Sequence, residues 1–252
     1  MNIDFGRTSS DYARYRHGFP QELFGALRER GLGGPGQCVL DLGAGTGSIA
    51  LGLAAMGAMV TALDTAAEQL DELRRLAVRR DLEVETVQAS AEATGLGSHA
   101  FDLLSAGQCW HWFDPVATCA ELKRLLAPGG RVVLASFDWL PLPGNVVEAT
   151  EALILAHNPA WHMGGGDGHH PEWEHDLGAG GFEVLEVVYS DVEAHYPHAD
   201  WRGRIRASAG VAASLNAKQV AAFDAELTSL LAKSFPMTPM EVPHRLGFCV
   251  AR

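Results

Sequence analysis

The stretch Val39-Leu40-Asp41-Leu42-Gly43-Ala44-Gly45-Thr46-Gly47 constrains the fold of this 252-residue chain more than any other. A short apolar run, as expected for a strand buried on both faces, ends in three glycines at alternate positions and leads into a helix-forming segment. Glycine has no Cβ, so the backbone there can turn tightly and approach a ligand closely. A strand, a glycine loop and a helix in that order open an α/β unit with a binding point at the strand's carboxyl end.

The rhythm continues. Strands are predicted over 38–42, 59–63, 82–87, 101–106 and 131–137, the last after a Pro128-Gly129-Gly130 turn. Helices are predicted over 20–30, 48–56, 66–80 and 115–126. Alternation of this kind implies right-handed crossovers and a parallel sheet covered on both faces. After Phe137 it breaks. Residues 138–181 are rich in Pro, Gly, His and Trp and read as an insertion, with Gly164-Gly165-Gly166 as a flexible loop. A strand follows at 182–189, then a helix at 216–234 with an Asn216 cap, Gln219 three residues on, and a stripe of Val220, Phe223, Leu227 and Leu230. The chain closes on a strand at 245–251. With no long linker, residues 1–252 read as one domain: an N-terminal helical lid (1–31), a core (36–137), a cap insertion (138–181), and C-terminal strands with cap helices (182–252).

A formal charge of −12 argues against a nucleic-acid partner, which needs clustered Lys and Arg. Arg74-Arg75 and Arg79-Arg80 share their predicted helix with Asp71 and Glu72. Cys38, Cys109, Cys119 and Cys249 are scattered without a CxxC pair and read as reduced thiols, which suits a cytoplasmic location. No apolar run reaches the ~18 residues of a membrane span, and the N-terminus lacks a signal-peptide layout.

Two nucleotide patterns compete for the glycine loop. Counted from Gly43, a dinucleotide fingerprint would place its last glycine at position 48, which is Ser48. Asp64 follows about 20 residues after the first glycine, where a carboxylate can take both ribose hydroxyls; it can also simply cap the next helix.

Segments 39–47, 60–64, 88–92, 101–112 and 125–131, in order, resemble the successive motifs of class I S-adenosylmethionine (SAM)-dependent methyltransferases. Phe101 to Asp114, with Trp110-His111-Trp112, resembles the small-molecule subset of the trans-aconitate and ubiquinone type. The resemblance implies a Rossmann-like, doubly wound, mostly parallel seven-stranded sheet with helices on both faces and a helical or loop cap. It implies SAM as cofactor and S-adenosylhomocysteine as product. Asp41, Gly43, Gly45 and Gly47 would form the loop under the methionine part, and Asp64 would hold the ribose. Thr65, Ser90 and Ala91 would meet the adenine, Ser90 standing where many relatives carry Asp. Gly107 and Gln108 would line the methionine end, and Tyr12 and Arg16 would fold over the cofactor from the N-terminal segment.

Methyl transfer needs alignment and exclusion of water, and a base only when the acceptor must lose a proton. His111 is the catalytic-base candidate, with a purely structural role as its alternative. Trp112, Trp161, His162, Trp201 and Arg206 are the acceptor-binding candidates. His157, His162, His169, His170 and His175 crowd one stretch, yet no HExxH helix accompanies them and no metal site is expected. The overall expectation is methyl transfer to O, N or C of a small molecule by a monomer or homodimer, with a repurposed SAM-binding protein or an NAD-binding oxidoreductase as alternatives.

Overall fold

A computed structural model describes residues 18–252. In chain order these form α1 (Gln21–Glu29), β1 (Cys38–Leu42), α2 (Ala50–Ala55), β2 (Met59–Asp64), α3 (Ala67–Arg79), β3 (Val84–Gln88), β4 (Phe101–Gly107), a 3-10 turn (Trp110–Trp112), α4 (Pro115–Leu125), β5 (Leu126–Trp139), α5 (Val146–His157), α6 (Glu172–Ala179), β6 (Val184–Tyr196), α7 (His198–Arg206), α8 (Ala217–Ser234) and β7 (Met240–Ala251). Contacts divide them into two compact units, one of residues 18–137 with 170–189 and 246–252, the other of 138–169 and 190–245.

The seven strands run in the order β3-β2-β1-β4-β5-β7-β6. β1 pairs in parallel with both β2 and β4, Leu42 lying opposite Leu63 on one side and Ala106 on the other. β2 with β3 and β4 with β5 are parallel too. Glu183 and Arg252 exchange both backbone hydrogen bonds, the signature of an antiparallel pair beside β6 and β7. The sheet is therefore mostly parallel, and its strand order reverses between β1 and β4.

Burial explains the first unit. Val39, Leu40, Leu42, Leu63, Leu103 and Leu104 are all but inaccessible, because a central parallel strand is covered on both faces. Leu122 and Leu125 of α4 and Trp173 and Leu177 of α6 join the same core. Each such side chain contributes roughly 1.5–3 kcal/mol on leaving water. α4 starts where Asp114 accepts hydrogen bonds from the Val116 and Ala117 amides, with Pro115 at the first helical position.

Several expected boundaries move. The helix expected from 48 begins at Ala50, because the glycine loop continues as turns through Ile49. The 128–130 turn lies inside β5 as an irregularity: Leu126 pairs with Phe101, and the next pairing is Arg131 with Leu103. The stretch 138–181, expected as an insertion without core elements, contains α5 and α6. Asn145 caps α5 by accepting from the Glu148 amide, while the Glu148 carboxylate accepts from the Gly144 amide. Gly164–166 do form a loop, in which the Gly165 amide donates to Glu151.

In the second unit, α8 carries the expected Asn216–Gln219 capping box. Its inner stripe is Phe223, Leu227 and Leu231, spaced by four; Leu231 replaces the expected Leu230, and Val220 is only half-buried. Trp201 of α7 is fully enclosed and packs edge-on against Trp139 and Tyr196.

Candidate functional site

Three loops meet at the switch in strand order, all within the first unit, and ligands of open α/β sheets bind there. The loop after β1 has Gly43, Gly45 and Gly47 at φ of +59°, +55° and +90°, where L side chains are strained. A Cβ on Gly43 would lie 2.9 Å from Cys109 Sγ and 3.1 Å from Phe113. One on Gly45 would find nothing nearer than the Gln69 side-chain oxygen at 3.9 Å, so the loop is packed from beneath at Gly43 and open at Gly45.

Asp41 lies inside β1 and is 1% exposed. Its carboxylate accepts from Ser105 Oγ of β4 at 2.7 Å and from the Ala50 amide that starts α2 at 3.1 Å. It therefore braces the loop by tying β1 to β4 and to α2. Burial raises its pKa to about 7, against the lowering effect of those two hydrogen bonds.

Asp64 ends β2. One oxygen accepts from the Gly45 amide at 2.8 Å, the other from the Ala66 amide at 2.9 Å. Asp64 does not cap α3, whose N-cap is Ala66 without a side-chain cap bond; its carboxylate instead ties the turn before α3 to the glycine loop, and with about four acceptor sites it keeps further capacity. Thr65 is exposed, and its carbonyl accepts from Gln88 Nε2. Ser90 is half-buried and bridges to Ala93, while Ala91 is buried in the core.

Beyond β4, Gly107 is hemmed in: a Cβ there would come within 2.5 Å of Ile49 and 2.8 Å of Phe19. Gln108 has a φ of +59°, a left-handed conformation uncommon outside glycine. Its amide donates to the Ala135 carbonyl and its Nε2 to the Phe137 carbonyl, fixing the strained turn to β5. The Trp110–Trp112 turn follows. Trp110 is buried and donates to Asp176, whereas His111 is exposed and Trp112 is 45% exposed, with their rings 4.7 Å apart.

Tyr12 and Arg16 fall outside the described residues. Trp161 is buried, His162 is exposed beside the Ala160 carbonyl, and the enclosed Trp201 donates to Thr150 Oγ1. Arg206 and Arg202 both bind Asp224. The crowded histidines have separate partners: His157 faces Glu226, His169 faces Asp167, and His170 faces Glu172 while stacking on Trp173. Among the described residues no group of three or more His, Cys, Asp or Glu gathers as a metal site. Sequence reasoning missed Ser105, Phe113, Phe19 and Ile49. Only Ser105, a lone hydroxyl in an apolar strand, gave a readable signal.

Residues 40–134 match the family model described as a methyltransferase domain. An uncharacterized methyltransferase of Mycobacterium tuberculosis is 35% identical over 134 residues, 53% of this chain and 52% of that protein. A demethylmenaquinone methyltransferase of Thermus thermophilus is 41% identical over 102 residues, 39% of this chain and 46% of that protein. The chain thus spans about half the length of the curated relatives it matches. By fold, it is similar to a candidate type II methyltransferase of Anaeromyxobacter dehalogenans, with a TM-score of 0.64 at 23% identity over 94% of this chain and 97% of that one. It is also similar to a Haemonchus contortus phosphoethanolamine N-methyltransferase solved with phosphomonomethylethanolamine and S-adenosylhomocysteine, with a TM-score of 0.58 at 17% identity over 100% of this chain and 59% of that one.

Proposed function

We propose that this chain, whose residues 40–134 match a methyltransferase domain, moves a methyl group from SAM to a small-molecule acceptor and releases S-adenosylhomocysteine. The observation that carries this reading is the switch point, where a glycine loop open at Gly45 is tied by its own amide to Asp64. Gly43, Gly45 and Gly47 would hold the methionine part, Asp64 the ribose, Thr65, Ser90 and Ala91 the adenine, and Gly107 with Gln108 the methionine end. Asp41 acts as a positioning residue, since both its oxygens are engaged with Ser105 and Ala50.

When bound, SAM supplies an electrophilic methyl carbon. The chain's own residues orient it, exclude water and present the acceptor, because proximity supplies much of the rate. His111, exposed beside Trp112, is the general-base candidate of this loop, an imidazole able to accept a proton from a hydroxyl-type acceptor. The formal charge of −12 favours a small acceptor over a polyanion.

Calorimetric titration tests the cofactor. SAM and S-adenosylhomocysteine are expected to bind and NAD not to, with Asp64→Ala weakening SAM at least tenfold. NAD binding in place of SAM, or an Asp64→Ala variant of unchanged affinity, would sink the reading. A labelled-methyl screen over carboxylates, phenols and amines then separates turnover from cofactor binding alone.

A further inference from the structure

Helix α5 is built the wrong way round for a surface helix. Thr150 and Glu151, two of its few polar residues, are buried, whereas Ala152, Leu155 and Ala156 are exposed, Leu155 to 44%. Glu151 is held inside by the Trp139 indole at 2.7 Å and the Gly165 amide at 2.8 Å, and Thr150 donates to the Val146 carbonyl. A helix that is apolar on its outer side as well as its inner side calls for a partner on both. Helix α8 packs alongside it in the same unit. Between the two runs a groove of about 590 Å³, whose lining includes Ala152, Leu153 and Ala156 of α5 and Ala225, Ser229 and Leu230 of α8. Leu230, placed in the buried stripe by its spacing, is only half-buried here, a knob beside a hollow floored by alanines.

The charges of this face say what fits it. Its exposed charged residues on the two helices are Glu148, Lys218, Glu226 and Lys233, which cancel, whereas the chain as a whole carries −12. Two copies therefore meet little repulsion here. Glu226 has its side chain 61% exposed and leans on His157 at 3.3 Å, while Lys233 is in no ion pair among the described residues. Glu226 and Lys233 are about two helical turns apart on one stripe, with Ser229 and Leu230 between them. Laid antiparallel on its own copy about an axis between Ser229 and Leu230, α8 sets each Glu226 opposite Lys233 of the other copy. Each Leu230 then enters the partner's hollow, and the contact closes at two copies. The 18 residues of α8 run about 27 Å at ~1.5 Å each, and two helices ~9 Å apart make a face on the order of 500 Å² per copy. That reaches the ~1,000 Å² in total that a specific interface needs. A lipid surface is a poorer match, because Glu148 and Glu226 stand on the face without a basic rim.

We propose that the outer face of α5 and α8 is a dimer interface, occupied by a second copy of this chain across a two-fold axis at the centre of the Ser229–Leu230 crossing. The inference is independent of the methyl-transfer reading, since it uses no residue of the glycine-loop site.

Sedimentation equilibrium of the full chain over a wide concentration range tests it. The parent is expected to dimerise reversibly. Ser229→Glu sets two carboxylates face to face at the axis and should weaken the dimer at least tenfold; Ser229 is exposed in the single chain, so its replacement leaves the fold intact. Glu226→Lys and Lys233→Glu should each weaken the dimer several-fold. Combined, they should restore the parent's affinity to within about threefold, a rescue that only a contact between the two residues provides. A monomer at every concentration, a dimer indifferent to Ser229→Glu, or a double variant no tighter than the single ones would each overturn the proposal. So would flotation of a monomeric chain with phosphatidylcholine vesicles, which would assign the face to lipid.

Discussion

Asp41 is held where a carboxylate is least at ease, inside a central strand and within the field of Asp64. Its folded pKa, about 7, stands above the ordinary carboxylate value near 3.9 that it has in the unfolded chain. The folded state therefore holds the Asp41 proton more tightly. The associated stability is fully present below about pH 4 and is lost as pH rises through about 7, an effect on the order of 2–4 kcal/mol. Asp41→Asn keeps an acceptor for the Ala50 amide and gives Ser105 a donor, but cannot ionise. Thermal denaturation between pH 4 and 8 should show the parent losing stability across this interval and the variant following a flatter curve. Identical slopes would mean Asp41 does not titrate in that window. The spacing of Asp41 and the glycines was legible from sequence, because a left-handed turn after a buried strand restricts residue type. The bracing role of Asp41 was not: Ser105 lies 64 positions away, and only the parallel β1–β4 register makes them neighbours.

At the scale of elements, legibility followed periodicity. β1, β2, β4 and α3 lie within two residues of expectation, since their apolar spacing reports the faces they bury. α5 and α6 were hidden by the Gly, Pro and His around them, although Asn145 followed three residues later by Glu148 is a helix-start signal. On α8, sequence reading identified the cap but chose Leu230 over Leu231, a difference of about 100° around the helix that only packing decides. The same helix tests how α7 is held. Asp224 takes two arginines from α7, and its pKa is lowered by Arg202 and Arg206 despite the opposing effect of burial, the largest influence on it. Asp224→Ala removes the carboxylate that two partly buried arginines share and should cost about 1–3 kcal/mol of stability by chemical denaturation. An unchanged midpoint would show that apolar packing of Phe223 and Leu227 suffices to keep α7 and α8 together.

Across the whole molecule, the family match and the glycine-loop site lie in the first unit, whereas the α5–α8 face and the α7–α8 ion pairs lie in the second. This division tracks what a sequence can announce. Backbone turns that approach a ligand closely restrict residue type at fixed spacing, as Gly43, Gly45 and Gly47 do at positive φ. Side chains on α7 and α8 find their partners only on folding, as Arg202 and Arg206 find Asp224, and so leave no such pattern. Hydrogen exchange reads the two regions independently. Saturating SAM should slow exchange at the amides of residues 43–50 and 64–66, because Gly45, Ala50 and Ala66 already donate to Asp64 and Asp41 and ligand contact stiffens that network. It should also raise overall stability by about 2.7 kcal/mol at a hundredfold excess over Kd. Protection confined to residues 190–245, or a stability gain without protection of the glycine loop, would place the cofactor elsewhere and overturn the assignment of SAM to the segment that matches a methyltransferase domain.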